Sequence, residues 1–199
     1  MAKNSFQIFK SDNKTFHWDI NNILFVLILV FGFIKILNIG YISKIADKGL
    51  IGVIIVGIIL LIANIFRKKP LNGKLQGTLT FNSDHIEIDD RKIEINKLKK
   101  IFLRIDDYEG YSHPQTRAAL FPTISNGTNN LLELELKTGE KIKLFFQMEY
   151  ENQVEELRPF MVTLVQNNII EVEKGIKWLK MNDDILINRF RIDTNSKEL

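Results

Sequence analysis

Six side chains between Asp106 and Asn130 have the types that recognise a small phosphate-bearing ligand. Tyr108 and Tyr111 offer aromatic faces for stacking, Arg117 a guanidinium for phosphate, and Thr128, Asn129 and Asn130 hydroxyl and amide groups for base edges. They fall in DDYEGYSHPQTRAALFPTISNGTNN, a stretch without alternation between two strand-like segments. Long irregular stretches in compact domains are usually either functional or disordered. Tyr108, Tyr111, Leu120 and Phe121 argue against disorder. The competing reading is a packed surface loop closed by a type I′ turn at Asn126-Gly127. Residue types leave these two readings even.

Little else in the chain suggests chemistry. No GxSxG, HExxH, GxxxxGK[ST] or dinucleotide-binding glycine run occurs. His17, His85 and His113 are scattered, so no metal site is expected, and the absence of Cys excludes disulfides and thiolate nucleophiles. Asp89-Asp90 and Asp106-Asp107 are carboxylate pairs in strand-turn contexts, where solvated turn residues are the expectation. An enzyme is the weakest class, and no cofactor is expected.

The elements that must carry the stretch are of two kinds. Residues 1–70 hold nine Lys/Arg against three Asp/Glu, and residues 71–199 hold 18 against 21. The basic excess therefore accompanies the apolar runs, while the remainder is slightly acidic and unsuited to a nucleic acid polymer. Ile23–Ile42 is apolar except for Lys35 and Asn38, and Gly49–Ile65 except for Asn64. Both are apolar all round, which predicts a transmembrane helical hairpin over 23–66 after an N-terminal cytoplasmic segment, 1–22. Lys3, Lys10, Lys14, Arg67, Lys68, Lys69 and Lys74 flank it, against Lys44 and Lys48 in the connection, so both termini are expected in the cytoplasm. The ordinary reading of Lys35 is snorkelling toward the outer interface. Gly49, Gly52 and Gly57 are candidates for close helix packing, although they do not form GxxxG.

Beyond Pro70 the period changes to two. Leu75, Gly77, Leu79 and Phe81 alternate, then Ile86 and Ile88, Ile93 and Ile95, and Ile101, Leu103 and Ile105. Leu132, Leu134 and Leu136 lead through Thr138-Gly139-Glu140 to Ile142, Leu144 and Phe146, the clearest hairpin. Val154, Leu157, Met161, Leu164 and Val165 predict one helix, starting near Pro159. Strand-like pieces around Ile169–Val172 and Asp184–Ile192 bring the count to seven or eight antiparallel strands. The expected fold is a membrane-anchored, mainly-β small barrel over 71–199 with one helix.

This architecture, with Asp107-Tyr108-Glu109-Gly110-Tyr111 and Ser125-Asn126-Gly127-Thr128-Asn129-Asn130, resembles the two-transmembrane β-rich (2TMβ) effector family of CBASS, the bacterial cyclic-nucleotide antiphage systems. The resemblance implies a multi-pass protein of the bacterial inner membrane. Its barrel would bind a cyclic dinucleotide or other cyclic oligonucleotide from a neighbouring nucleotidyltransferase. Homo-oligomerisation would then let the hairpin disrupt the lipid bilayer as an antiviral defence. The alternative is a bacterial PH-like domain on a two-helix anchor, a membrane scaffold without a nucleotide ligand. The residues after the predicted helix favour the barrel, because a PH-like domain nearly ends with its helix.

Overall fold

The computed structural model describes residues 5–12, 20–37, 40–112 and 124–196. The chain divides into two compact units, one drawn from Met1–Asp12, Gly73–Tyr111 and Ser125–Leu199, the other from Asn13–Asn72 and Ser112–Ile124. The segment before the apolar helices is therefore not a separate part. Ser5–Ser11 alternates Phe6 and Ile8 with polar residues and forms strand β1, with both apolar side chains buried.

In the first unit, β2 (Gly73–Phe81), β3 (His85–Ile88), β4 (Arg91–Glu94), β5 (Leu98–Arg104), β8 (Asn130–Leu136) and β9 (Lys141–Phe146) join β1 in one seven-stranded sheet. Its order is β4-β3-β2-β1-β9-β8-β5, and the pairings are antiparallel. The order places β1 at the centre, between β2 and β9. Of the expected small barrel, closed or nearly closed, the seven antiparallel strands are present, and among the described residues the sheet is open, with β4 and β5 as its two edges. Helices cover the apolar face in place of closure. A 3₁₀ segment, Glu151–Leu157, runs into α3 (Arg158–Gln166), with Pro159 in its first turn as the sequence requires. Phe160, Met161 and Leu164 of α3 belong to the same core as Phe6, Leu79, Phe81, Leu103, Leu134 and Phe146. Phe6 meets Phe81 and Phe146 edge-on, with centroids 5.6 and 5.3 Å apart, and Phe81 lies 5.0 Å from Phe160. Side chains thus fill the space that a hollow barrel would have offered to a ligand.

The tail corrects the sequence reading. Neither strand-like piece is a strand: Ile169–Val172 is a bend that leads into helix α4 (Val172–Trp178), and Asp184–Ile192 lies in helix α5 (Asp184–Asn195). Asp183 caps α5 by accepting from the amides of Ile185 and Leu186 at 2.7 and 3.4 Å. Phe190 and Thr194 are buried and Ile187 packs beside them, a helical spacing. The Ile185/Ile187 alternation misled because Ile185 is exposed. Gly175 lets α4 approach α5, since a Cβ there would lie 2.8 Å from Phe190 Cζ. A second correction concerns β2. The register shifts between Gln7 and Phe9 of β1, so Leu75 pairs with Phe9 and leaves the face shared by Leu79 and Phe81. Gly77, at φ +98°, sits in this bulge, and Asp89 Oδ1 accepts from the Thr78 amide at 2.9 Å.

In the second unit, α1 (Ile20–Leu37) and α2 (Gly40–Ile65) run antiparallel. Lys35 Nζ lies 2.7 Å from Asp47 Oδ1, and the Phe31 ring packs where a Gly49 Cβ would stand. Lys35 is ion-paired across the helix pair, which its snorkelling reading did not include. Gly40–Ile42, expected in the first helix, belong to α2, as do Lys44 and Lys48, expected in the connection. Gly49 is thus the glycine that the helix pair uses, whereas Gly52 and Gly57 face open space. Gly49→Leu should cost roughly 1–3 kcal/mol by overpacking. Gly52→Leu and Gly57→Leu should leave thermal unfolding of the detergent-solubilised chain unchanged.

Candidate functional site

The stretch from Asp106 to Asn130 is built on its two ends. Residues 113–123, with Arg117, lie outside the described residues. On either side, β6 (Glu109–Ser112) and β7 (Ile124–Asn126) form a two-stranded sheet. At its base is Asp107, only 2% exposed. Its Oδ2 accepts from Ser125 Oγ at 2.7 Å and from the Asn129 amide at 3.0 Å. Asn130 is fully buried and bonds the main chain of Asp107 in both directions. Its Oδ1 accepts from the Asp107 amide at 3.1 Å, and its Nδ2 donates to the Asp107 carbonyl at 2.8 Å. The same Nδ2 reaches the carbonyls of Gly127 at 2.8 Å and Phe146 at 3.3 Å. One side chain therefore closes the loop base onto the end of β9.

Gly127 completes this base. Its φ is +71°, and a Cβ there would come 2.6 Å from the Glu109 amide nitrogen. Met148 donates its amide to the Gly127 carbonyl and accepts from the Glu109 amide, both at 2.9 Å. Asn126 is not among the residues with positive φ, so the type I′ turn that the packed-loop reading placed at Asn126-Gly127 is not formed.

The candidate ligand residues separate on this frame. Asn130 serves the fold. Asn129 is exposed, and its Oδ1 accepts from the Arg104 guanidinium at 3.0 Å. Thr128 is half-buried beside it in the chain. Tyr108 and Tyr111 come together, with ring centroids 5.1 Å apart and planes inclined at 46°. Partial burial, followed by the nearby Glu151 carboxylate, raises the Tyr108 phenol above its ordinary pKa. The Tyr108 ring therefore stays neutral at physiological pH, and the paired rings suit stacking or packing. Asp107, expected as a solvated turn carboxylate, is the residue that the sequence reading missed, while its neighbour Asp106 is exposed. The signal available was its position before an Asn/Ser-rich cluster able to surround a carboxylate.

No metal-ligating group of three or more His, Asp or Glu side chains occurs among the described residues. His85 Nδ1 lies 2.7 Å from Asp84 Oδ1, and its Nε2 lies 3.0 Å from Asn82 Nδ2. This arrangement closes the β2–β3 turn, and the hydrogen bond from His85 lowers the Asp84 pKa. The helical unit contributes the other candidate feature. Lys44–Asn64 is long and apolar enough to cross a membrane, while the apolar stretch of α1, Asn22–Leu37, is shorter. After α2, Arg67, Lys68 and Lys69 run in extended form beside Ile124. The Lys69 amide donates to the Ile124 carbonyl at 2.8 Å, and the Ile124 amide donates to the Arg67 carbonyl at 3.3 Å.

No family profile, characterised protein or solved structure matches the chain.

Proposed function

We propose that the chain is a membrane-anchored scaffold module: a PH-like β domain held at a bilayer by the helix pair set into its sheet. The observation that carries this reading is the place of the apolar helices. They lie between β1 and β2 in sequence, yet β1 and β2 are hydrogen-bonded neighbours. A sheet cannot have adjacent strands on opposite sides of a bilayer, so the chain must leave and return on the same side. That pairing supports two crossings rather than one for a chain that enters the bilayer. At 18 residues α1 is about 27 Å long, against roughly 30 Å of hydrocarbon, a mismatch that local thinning and flanking polar residues absorb. The Lys35–Asp47 pair lowers the cost of the only charge within the α1 span. Arg67, Lys68 and Lys69 favour a cytoplasmic side for the β domain, as in a bacterial inner-membrane protein.

The PH-like reading gains from the strand count. Seven strands and a following helix fit it, and the C-terminal pieces that raised the strand count toward a barrel add no strand, although α4 and α5 extend the chain beyond the helix at which a PH-like domain nearly ends. The test is membrane extraction of the expressed full chain. Alkaline carbonate should leave it in the pellet, and release into the supernatant would overturn the anchor.

The cyclic-nucleotide effector remains a second reading, favoured by the Tyr108–Tyr111 pair beside the undescribed segment with Arg117. Thermal unfolding of the full chain against cyclic di- and trinucleotides separates the two. A ligand at 100 times its Kd adds about 2.7 kcal/mol, a shift of several degrees. The scaffold reading expects no shift, and a selective one would transfer the assignment to the receptor.

A further inference from the structure

We propose that the cleft between the 3₁₀ segment, the α4–α5 turn and the start of α5 binds a free α-amino acid with an apolar side chain. Every residue of the cleft belongs to the first unit, so the site is independent of the membrane anchor. The backbone points to it first. Helix α4 ends in a Schellman turn, in which the Lys180 amide donates to the Lys177 carbonyl and the Met181 amide to the Ile176 carbonyl, both at 3.2 Å. The residue after the C-cap of such a turn is left-handed and is ordinarily glycine or asparagine. Here it is Lys180, at φ +52°. The other non-glycine residues with positive φ among those described are Asp89 and Asn168, two types that tolerate the conformation. Lysine lacks that tolerance, and backbone strain of this kind collects at ligand clamps.

Lys180 lines a cleft of about 320 Å³, a size at the lower end for small-ligand pockets. Its apolar wall is Leu179, Met181 and Leu186, of which Leu179 is buried and Leu186 exposed. Two further lining side chains are committed to the fold. The Arg158 guanidinium donates to Asp193 Oδ2 at 2.7 Å, and Asp183 caps α5. That leaves Glu155 and Lys180, opposite in sign and both exposed, with no ion-pair or hydrogen-bonding partner for either side chain among the described residues. Two unlike charges that share a cleft without pairing match a ligand that carries both. In an α-amino acid the carboxylate meets the Lys180 ammonium, the ammonium meets the Glu155 carboxylate, and the side chain takes the apolar wall out of water. A simple anion would face the repulsion of Glu155, and a simple cation that of Lys180.

Isothermal titration of the purified full chain in non-ionic detergent with L-leucine, L-methionine and L-valine tests the proposal. At least one should bind saturably, with a Kd of about 0.1 mM. The analogues of that amino acid lacking the carboxylate or the ammonium, for leucine 3-methylbutylamine and 4-methylpentanoate, should bind about tenfold or more weakly. Glu155→Gln and Lys180→Asn should each cause a similar loss. Because asparagine suits the left-handed turn, Lys180→Asn should also keep or raise the unfolding midpoint, which separates its loss of binding from a loss of fold. Lys177→Gln, at an exposed position of α4 outside the cleft, should leave affinity unchanged. No saturable binding of any of the three amino acids at millimolar concentration would overturn the proposal. So would unaltered binding in either variant, or an amine or acid that binds as tightly as its amino acid. A Lys180→Asn protein that unfolds below the native midpoint would remove the strain on which the choice of Lys180 rests.

Discussion

Removing residues 1–12 should abolish folding of the β domain, whereas replacing residues 12–72 by Asn-Gly should preserve it. The truncation removes the central strand. Phe6 and Ile8 are 2% and 5% exposed, and truncating such side chains costs about 3–5 and 2–5 kcal/mol even when the backbone stays in place. The hydrogen-bonded pairings of β1 with β2 and β9 would be lost as well, leaving two unpaired edges in the middle of the sheet. Together these losses match the ~5–15 kcal/mol stability of a whole domain. The replacement is local, because Ser11 and Gly73 are direct partners in an antiparallel ladder, and a two-residue Asn-Gly loop joins such partners. The shortened chain should be water-soluble and unfold in one cooperative transition. A fragment 71–199 that folds equally well would show that β1 is dispensable and would remove the argument for paired crossings.

The second large effect is expected at Asn130. Asn130→Ala removes a hydrogen bond from four buried main-chain groups, the Asp107 amide and the carbonyls of Asp107, Gly127 and Phe146, of which the Gly127 carbonyl keeps the Met148 amide. Each unsatisfied buried group costs about 1–3 kcal/mol, and relaxation of the loop recovers part, so a loss of roughly 3–5 kcal/mol is expected. For a chain of this size that lowers the unfolding midpoint by about 10 °C or more. Asn130→Asp should be no better, since a carboxylate cannot donate to the three carbonyls. Asn129→Ala, at an exposed position, should change the midpoint little. Thermal unfolding of the full chain in detergent decides the matter. A stable Asn130→Ala protein with weakened ligand binding would return Asn130 to the recognition role that its residue type suggested.

Much of the fold was legible where one period governed. The β8–β9 hairpin appears where Leu132, Leu134 and Leu136 alternate and Thr138-Gly139 turns, and α3 begins at Arg158, beside the Pro159 that interrupts the helical spacing, with Val154 and Leu157 in the 3₁₀ segment before it. Strand β1 was missed although Phe6 and Ile8 alternate, because a long polar segment before a membrane helix has no visible partner until the chain returns after Gly73. Non-local pairing carries no local signal. The tail was misread because Ile185 and Ile187 satisfy period two, while the Asp183 cap and the Phe190 contact that favour the helix lie at either side of them. Barrel closure was inferred from strand number, and number does not distinguish a closed sheet from an open one covered by helices. In the loop, residue type showed that Asn130 would make hydrogen bonds but not with whom. The buried Asp107 looked like any other turn carboxylate.

These elements meet in one claim, that an apolar helix pair set between two paired strands anchors the β domain with both of its ends on one side of a membrane. The chain has no cysteine, so single-cysteine variants report side directly. Asp12→Cys before α1, Ser83→Cys in the β2–β3 turn and Lys44→Cys near the far end of α2 are all at exposed positions. In sealed inner-membrane vesicles of known orientation, a membrane-impermeant maleimide should label Asp12→Cys and Ser83→Cys together from the cytoplasmic face and Lys44→Cys only from the opposite face. Labelling of Asp12→Cys and Ser83→Cys from opposite faces, or of all three from one face, would contradict the account.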